Sequence, residues 1–230
     1  MNASINPDPC LHLRYRARTR RNGRGSGGGS HPRLRTGRPA PAMSDCASAF
    51  NSRNGANVIV TFGPTGPWRD QASRDAEPVY VRSATIMVHK GNPLKIEHFG
   101  DLLRPGVRVM VVQGSGQTGL WEDIAGRIGD IATIKALRRN IVAFEPDTAT
   151  AHEVWNGSNP PDAWIALASE HGAHPDESDV IALEPNLAIV RDAGIVLTRA
   201  GEGKPVAKAF YDFVRSPDCL ALFKRSGWSN

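Results

Sequence analysis

Six residues between two apolar stretches hold the most concentrated chemistry of this chain. Gly114-Ser115-Gly116-Gln117-Thr118-Gly119 follows Val107–Val112, which has five apolar residues in six positions, and precedes Leu120-Trp121-Glu122-Asp123. The apolar run predicts a buried strand, and the segment after the turn predicts a helix. The glycines let backbone approach a ligand closely. A helix start leaves N–H groups unpaired and partly positive, so it can hold an anion. Ser115, Gln117 and Thr118 add side-chain hydrogen bonds, and Thr118 is the expected N-cap. These residues read as an anion cradle made of Ser115, Gly116, Gln117, Thr118 and Gly119.

Four other sets could do chemistry. Arg82 is the one cation inside the predicted strand Val79–His89. Turned to a cleft, it would clamp a carboxylate or oxyanion through two parallel N–H bonds; turned outward, it is a solvated edge residue. Thr61 and Thr65 lie where the predicted strand Asn57–Phe62 exits into Gly63-Pro64-Thr65-Gly66-Pro67. Strand exits bind ligands in α/β proteins, but a plain turn with a side-chain bond accounts for the same residues. Asp192 interrupts an apolar stretch; buried, it would need a partner, either at a structural junction or in a cleft wall. His171-Gly172-Ala173-His174-Pro175-Asp176-Glu177-Ser178-Asp179 is the densest set of metal-type side chains. Its spacing fits no zinc or calcium pattern, so it reads as a solvated loop.

Several reactions are excluded by what is missing. No Gly-Lys-Ser/Thr follows the turn, so Walker-type phosphate chemistry fails. Gln113 stands where a nucleophile elbow before Ser115 needs glycine. Gly114-x-Gly116-x-x-Gly119 outlines a dinucleotide fingerprint, and a dinucleotide-binding oxidoreductase is the alternative reading. That reading requires an acid ending a second strand about twenty residues on. The sequence there, Asp130-Ile131-Ala132-Thr133, starts a helix instead. No acid–base or nucleophile pair is apparent, so binding is favoured over catalysis, with no cofactor and no metal expected.

The elements that must position these groups alternate between strand and helix. Helices are expected at Met43–Phe50, Ile96–Leu103, from Asp130 through Arg139 with Ile131, Ile134 and Leu137 inward, from Asp147 to Trp155, and at Pro205–Val214 and Pro217–Arg225. Further strands are expected at Ile141–Phe144, Ala163–Leu167, Val180–Leu183, Leu187–Val190 and Ile195–Thr198, with Arg191–Gly194 as an interruption. This order argues for an α/β sheet covered by helices on both faces.

Charge is unevenly placed. The net charge is +5, yet residues 1–42 carry nine Arg against one acid, Asp8, so the remainder is acidic. The body therefore has no global attraction to nucleic acid or membrane. Residues 1–32, with Arg14 to Arg24 and Gly25–Ser30, are expected to be a disordered basic leader, and such an arginine–glycine tail could touch RNA. Arg20-Arg21 is followed by Asn22-Gly23 rather than apolar residues, so no export signal is recognisable there. Cys10, Cys46 and Cys219 show no metal spacing and no disulfide framework; at most one pair could form, and the plainer reading is buried or free thiols.

In order along the chain, Tyr80-Val81-Arg82-Ser83-Ala84, Lys90-Gly91-Asn92-Pro93, Asp101–Val107 and Gly114–Asp123 resemble the accessory colonization factor AcfC family of periplasmic solute-binding proteins. These are similar in fold to molybdate- and sulfate-binding proteins. Thr61-Phe62-Gly63-Pro64-Thr65, Arg191-Asp192-x-Gly194 and Trp228 extend the match, which runs from Leu34 to Trp228. The resemblance implies a type 2 periplasmic-binding fold in which two α/β lobes close on a small anion. Lobe I would be 33–88 plus 190–230, and lobe II 89–189. The ligand would be sulfate, molybdate, phosphate or a carboxylate, held by Thr65, Arg82 and the Gly116–Gly119 turn. ABC transporter membrane subunits would be the partners and the periplasm the location. Two departures stand out. The family's opening loop is present only as Leu34–Pro39, with an arginine where a small residue belongs. About thirty residues are missing between Ala72 and Pro78, where the family has a core strand, so lobe I is expected to be incomplete. A nonfunctional truncated member is the second alternative.

Overall fold

One strand runs through both halves of the molecule. In the computed structural model, which describes residues 13–14, 40–60 and 76–230, β3 (Glu77–Val88) is 12 residues long. Its first half pairs antiparallel with β8 (Val190–Ile195), from Glu77 opposite Ile195 to Ser83 opposite Val190. Its second half pairs antiparallel with β6 (Ala163–Leu167) on one side and β7 (Asp179–Ala182) on the other. The sequence records the change. Glu77–Ser83 alternates buried Tyr80 and Arg82 with more open neighbours, whereas Ala84–Val88 is buried throughout. An alternating strand has one covered face, and a continuously apolar one has two.

Beyond β6 the sheet continues with β4 (Val109–Val112) and β5 (Ile141–Glu145) in the order β5-β4-β6-β3-β7. β4 is parallel to both of its neighbours, so the chain must cross over between them. Residues of β4 alternate between two cores. Val109 and Val111 pack with Phe99, Leu102, Leu120, Trp121, Ile124 and Leu137 on one face. Met110 and Val112 pack with Ala151, Trp155 and Trp164 on the other. The first face is covered by a 3-10 turn (Phe99–Leu103), α2 (Leu120–Gly126) and α3 (Ile131–Asn140); the second is covered by α4 (Thr148–Trp155). Asp130 and Asp147 start α3 and α4 by accepting the N–H of Thr133 and Thr150, as N-cap carboxylates do.

A separate apolar cluster surrounds the other half of β3. It draws on α1 (Ala40–Asn54), α7 (Pro205–Val214) and α8 (Pro217–Arg225), with Met43, Phe50, Tyr80, Phe210, Phe223 and Trp228 at its centre. Tyr80 stacks on Phe223 with ring centroids 3.9 Å apart, and its hydroxyl donates to the Val214 carbonyl. A disulfide joins Cys46 of α1 to Cys219 of α8 across 173 residues of chain. Of the two readings open for these cysteines, the single pair holds and the free-thiol reading is corrected: α1 and α8 bring their Cα atoms to 5.4 Å, inside disulfide range.

Other expectations are also revised. Leu187 lies in a turn, and the supposed interruption Arg191–Gly194 is the middle of β8. An edge strand tolerates charge there because alternate residues face water. Ile195 ends that strand, so no strand runs on to Thr198. The helix expected over Ile96–Leu103 shrinks to the 3-10 turn, since the Asp101 carboxylate takes the N–H groups of Glu97 and His98 in a cap-like knot. Ile131 is 63% exposed, leaving Leu137 as the buried anchor of α3. Two short helices, α5 (Ala168–Ala173) and α6 (Arg199–Glu202), were not anticipated. Leu13–Arg14 (β1) pairs with Ile59–Val60 (β2), which is all that the described residues show of the strand expected over Asn57–Phe62.

Candidate functional site

Parallel strands β4 and β6 end at the same edge of the sheet, and β3 runs beside β6, with Ala84 opposite Leu167. This geometry brings two strand exits and one strand together. The β4 exit delivers Gly114–Gly119, the β6 exit delivers Ser169 and Glu170 at the start of α5, and β3 delivers Arg82.

Arg82 is 2% exposed, so the solvated-edge reading is set aside. Its Nη1 donates to Ser169 Oγ at 3.2 Å and lies 4.0 Å from Glu170 Oε1. Its Nη2 donates to the Ser115 carbonyl at 3.4 Å. The guanidinium sits 4.8 Å from the centroid of the Trp228 ring, a cation–π distance. Trp228 is held there because Ser229 exchanges two backbone hydrogen bonds with Val81, at 2.7 and 2.8 Å. Gly227, with φ +77, allows this docking, since a Cβ there would lie 2.4 Å from the Ala168 carbonyl oxygen. Only glycine fits that contact.

The turn is tightly built. The Gln113 N–H donates to the Glu145 carbonyl, and a Cβ on Gly114 would fall 2.3 Å from the Pro146 oxygen. Ser115, Gly116 and Gly119 all have positive φ, at 55, 77 and 73°. This winding leaves the N–H groups of Ser115, Gly116, Thr118 and Gly119 without a hydrogen bond among the described residues. Gln117 is 1% exposed, and neither end of its side-chain amide has a hydrogen-bond partner among the described residues. A buried amide in that condition is costly, which makes Gln117 the most informative residue of the turn.

The expected N-cap is corrected. Thr118 is exposed, and its hydroxyl donates back to the Gln113 carbonyl; left-handed Gly119 occupies the cap position with no side-chain bond. α2 is only seven residues long, so the cradle rests on the turn's own N–H groups more than on a helix dipole. Asp192 is exposed and paired with Val81, which puts it on the face of β8 away from Arg82. It therefore needs no buried partner and does not join the cluster. Arg191 pairs with Arg82 in the register and reaches α2, where Nη2 lies 2.8 Å from Asp123 Oδ2. Thr65 and Thr61 lie outside the described residues.

Ser169, Glu170 and Trp228 carry no sequence signal that marks them as partners of Arg82. One signal for a ligand site was available: Ser169 and Glu170 follow the apolar strand Ala163–Leu167, and the exits of parallel strands are favoured ligand sites. The His171–Asp179 segment is not simply solvated. Ser178 is fully buried and meets His171 Nδ1 at 3.0 Å, and Asp179 pairs with Lys90 at 3.0 Å.

A mixed sheet with helices on both faces, and a polar cluster where strand exits converge, define a binding protein of the periplasmic-binding class. The family described as bacterial extracellular solute-binding protein matches residues 70–229, and the chain belongs to it. Such proteins bind solutes and are not enzymes, which removes the oxidoreductase alternative. PEB3 from Campylobacter jejuni is 30% identical, with 84% of this chain and 96% of that one covered and a TM-score of 0.66. PEB3 with L-phospholactate bound aligns over the same shares at 0.70. The fold is shared with the sulfate-binding protein SubI from Mycobacterium tuberculosis (18% identity, 83% of both chains, TM-score 0.58). It is shared too with the Azotobacter vinelandii molybdate-binding protein (15%, 85% and 96%, 0.57). No curated protein sequence matches the chain.

Proposed function

We propose that this protein captures a small oxyanion or carboxylate between lobes 33–88 plus 190–230 and 89–189, and serves ABC-type uptake as an AcfC-like binding protein. The observation that carries the reading is Gln117. Its buried amide has a donor and an acceptor to spare, beside four N–H groups without hydrogen bonds among the described residues and a buried arginine. Convergent N–H donors around a cation suit a compact anion. L-phospholactate, sulfate and molybdate, the ligands named for the structural neighbours, are all anions of this kind. The Cys46–Cys219 disulfide suits an oxidising compartment outside the cytoplasm.

The test is a thermal melt of the full chain with sulfate, molybdate, phosphate, citrate, phospholactate or NAD. At about a hundred times its dissociation constant, a ligand adds roughly 2.7 kcal/mol. For a chain of this size that raises the midpoint by about 5–10 °C. One anion shifting a cooperative melt, with NAD inert, is the expected result. A melt that no anion moves would sink the proposal and leave the truncated-remnant reading.

A further inference from the structure

We infer a transition-metal site of the zinc class, made by His152, His174 and Glu177, that lies behind the anion cleft. The sequence placed His174 and Glu177 in one loop but showed no third ligand at metal spacing. The fold supplies it: His152 comes from α4, 22 residues earlier than His174. His152 Nδ1 lies 3.1 Å from Glu177 Oε2, and His174 Nδ1 lies 3.2 Å from Glu177 Oε1. One ligand atom from each residue falls within 4.8 Å of the others. Zinc bonds of about 2.0–2.1 Å in a tetrahedron put neighbouring ligand atoms about 3.3–3.4 Å apart. Each Glu177 oxygen already has one imidazole nitrogen near that length, and the set closes on one ion by a turn of His174, which is 45% exposed and gives an ion its way in.

The surroundings are built as they are around metal-binding histidines. A ligating imidazole commonly presents its second nitrogen to a carboxylate, which fixes its orientation. Behind His152, Nε2 faces Glu170 Oε2 at 3.8 Å, and Glu170 is buried. Glu177 is steadied by Asn156 Nδ2 at 3.1 Å, and its own carbonyl accepts from Trp155 Nε1 at 3.2 Å. The His152 ring meets the edge of Trp164 at 5.0 Å. Two imidazoles and one carboxylate select zinc, cobalt or nickel over calcium and magnesium, which prefer all-oxygen sets. Glu170 faces Arg82 with its other oxygen, so the site adjoins the cleft without sharing a ligand with it. The assignment is independent of which solute the cleft binds.

The test is calorimetric titration of the chelator-treated full chain with zinc chloride, with cobalt chloride followed by visible absorption. One zinc per chain with a dissociation constant of about 10 µM or tighter is expected, with cobalt giving the visible bands of a low-coordinate site and calcium giving no heat. His174→Ala and Glu177→Gln should each weaken zinc by about tenfold or more, while His98→Ala, an exposed histidine elsewhere, should bind as wild type. Far-UV circular dichroism verifies that each variant is folded. No saturable zinc binding would overturn the site. So would zinc binding that both cluster variants retain at wild-type strength, because the ion would then sit elsewhere on the chain.

Discussion

Replacing Gln117 with methionine should make the empty protein more stable and the binding weaker. Methionine keeps the length and volume of glutamine while removing both polar atoms. Those atoms are buried and have no hydrogen-bond partner among the described residues. An unsatisfied buried group costs about 1–3 kcal/mol. Gln117→Met should therefore recover about 1–3 kcal/mol, raising the melting midpoint by about 2–12 °C in a chain of this length. A bound anion would lose one or two charge-assisted hydrogen bonds of about 1.5–3 kcal/mol each, so its dissociation constant should rise by at least about tenfold. The two effects have opposite signs, which an ordinary core substitution does not give. The assay pairs urea unfolding of the ligand-free protein with calorimetry, using whichever anion shifts the wild-type melt. A less stable Gln117→Met, or one that binds that anion as tightly as wild type, would refute the reasoning.

Three further outcomes follow from the same contacts. Arg82→Met leaves buried Glu170 without its cationic neighbour and should cost about 3–5 kcal/mol. Arg82→Met with Glu170→Gln should regain much of that in urea melts but not anion binding. Opening the Cys46–Cys219 link frees 173 residues of chain and should cost as much as about 5 kcal/mol by loop entropy; equal urea midpoints with and without reductant would contradict this. Burial pushes the Tyr80 phenol from 10.0 up to about 12. Below pH 10 both folded and unfolded chains keep that proton and stability is intact. As pH rises from about 10 to 12 the unfolded chain ionises first, so stability falls by up to about 3 kcal/mol. Tyr80→Phe should flatten this alkaline limb in pH-dependent melts.

Local order was largely legible in the sequence. The alternation of strands and helices, the long β3, the starts of α3 and α4 at Asp130 and Asp147, and the Pro205 and Pro217 helices follow from period, caps and proline chemistry. Those signals act over a few residues. The glycine turn was readable too, because a glycine-rich stretch after an apolar run marks a permissive turn, and Gly116 and Gly119 take the positive φ there that glycine adopts most readily. Edge behaviour was not. Arg191–Gly194 looked like a break because period-based reading cannot tell that a charged strand lies at a sheet margin.

What only the tertiary structure decided is which distant groups meet. Cys46 finds Cys219, His152 finds His174 and Glu177, and Arg82 finds Ser169, Glu170 and Trp228. None of these pairings has a spacing that marks it. Each depends on strand order: β4 and β6 run parallel and end together, while β3 crosses from one core into the other beside them. Residue types set which elements form, through interactions with near neighbours. The order in which the strands assemble sets which side chains converge, and that order minimises exposed apolar surface over the whole chain at once.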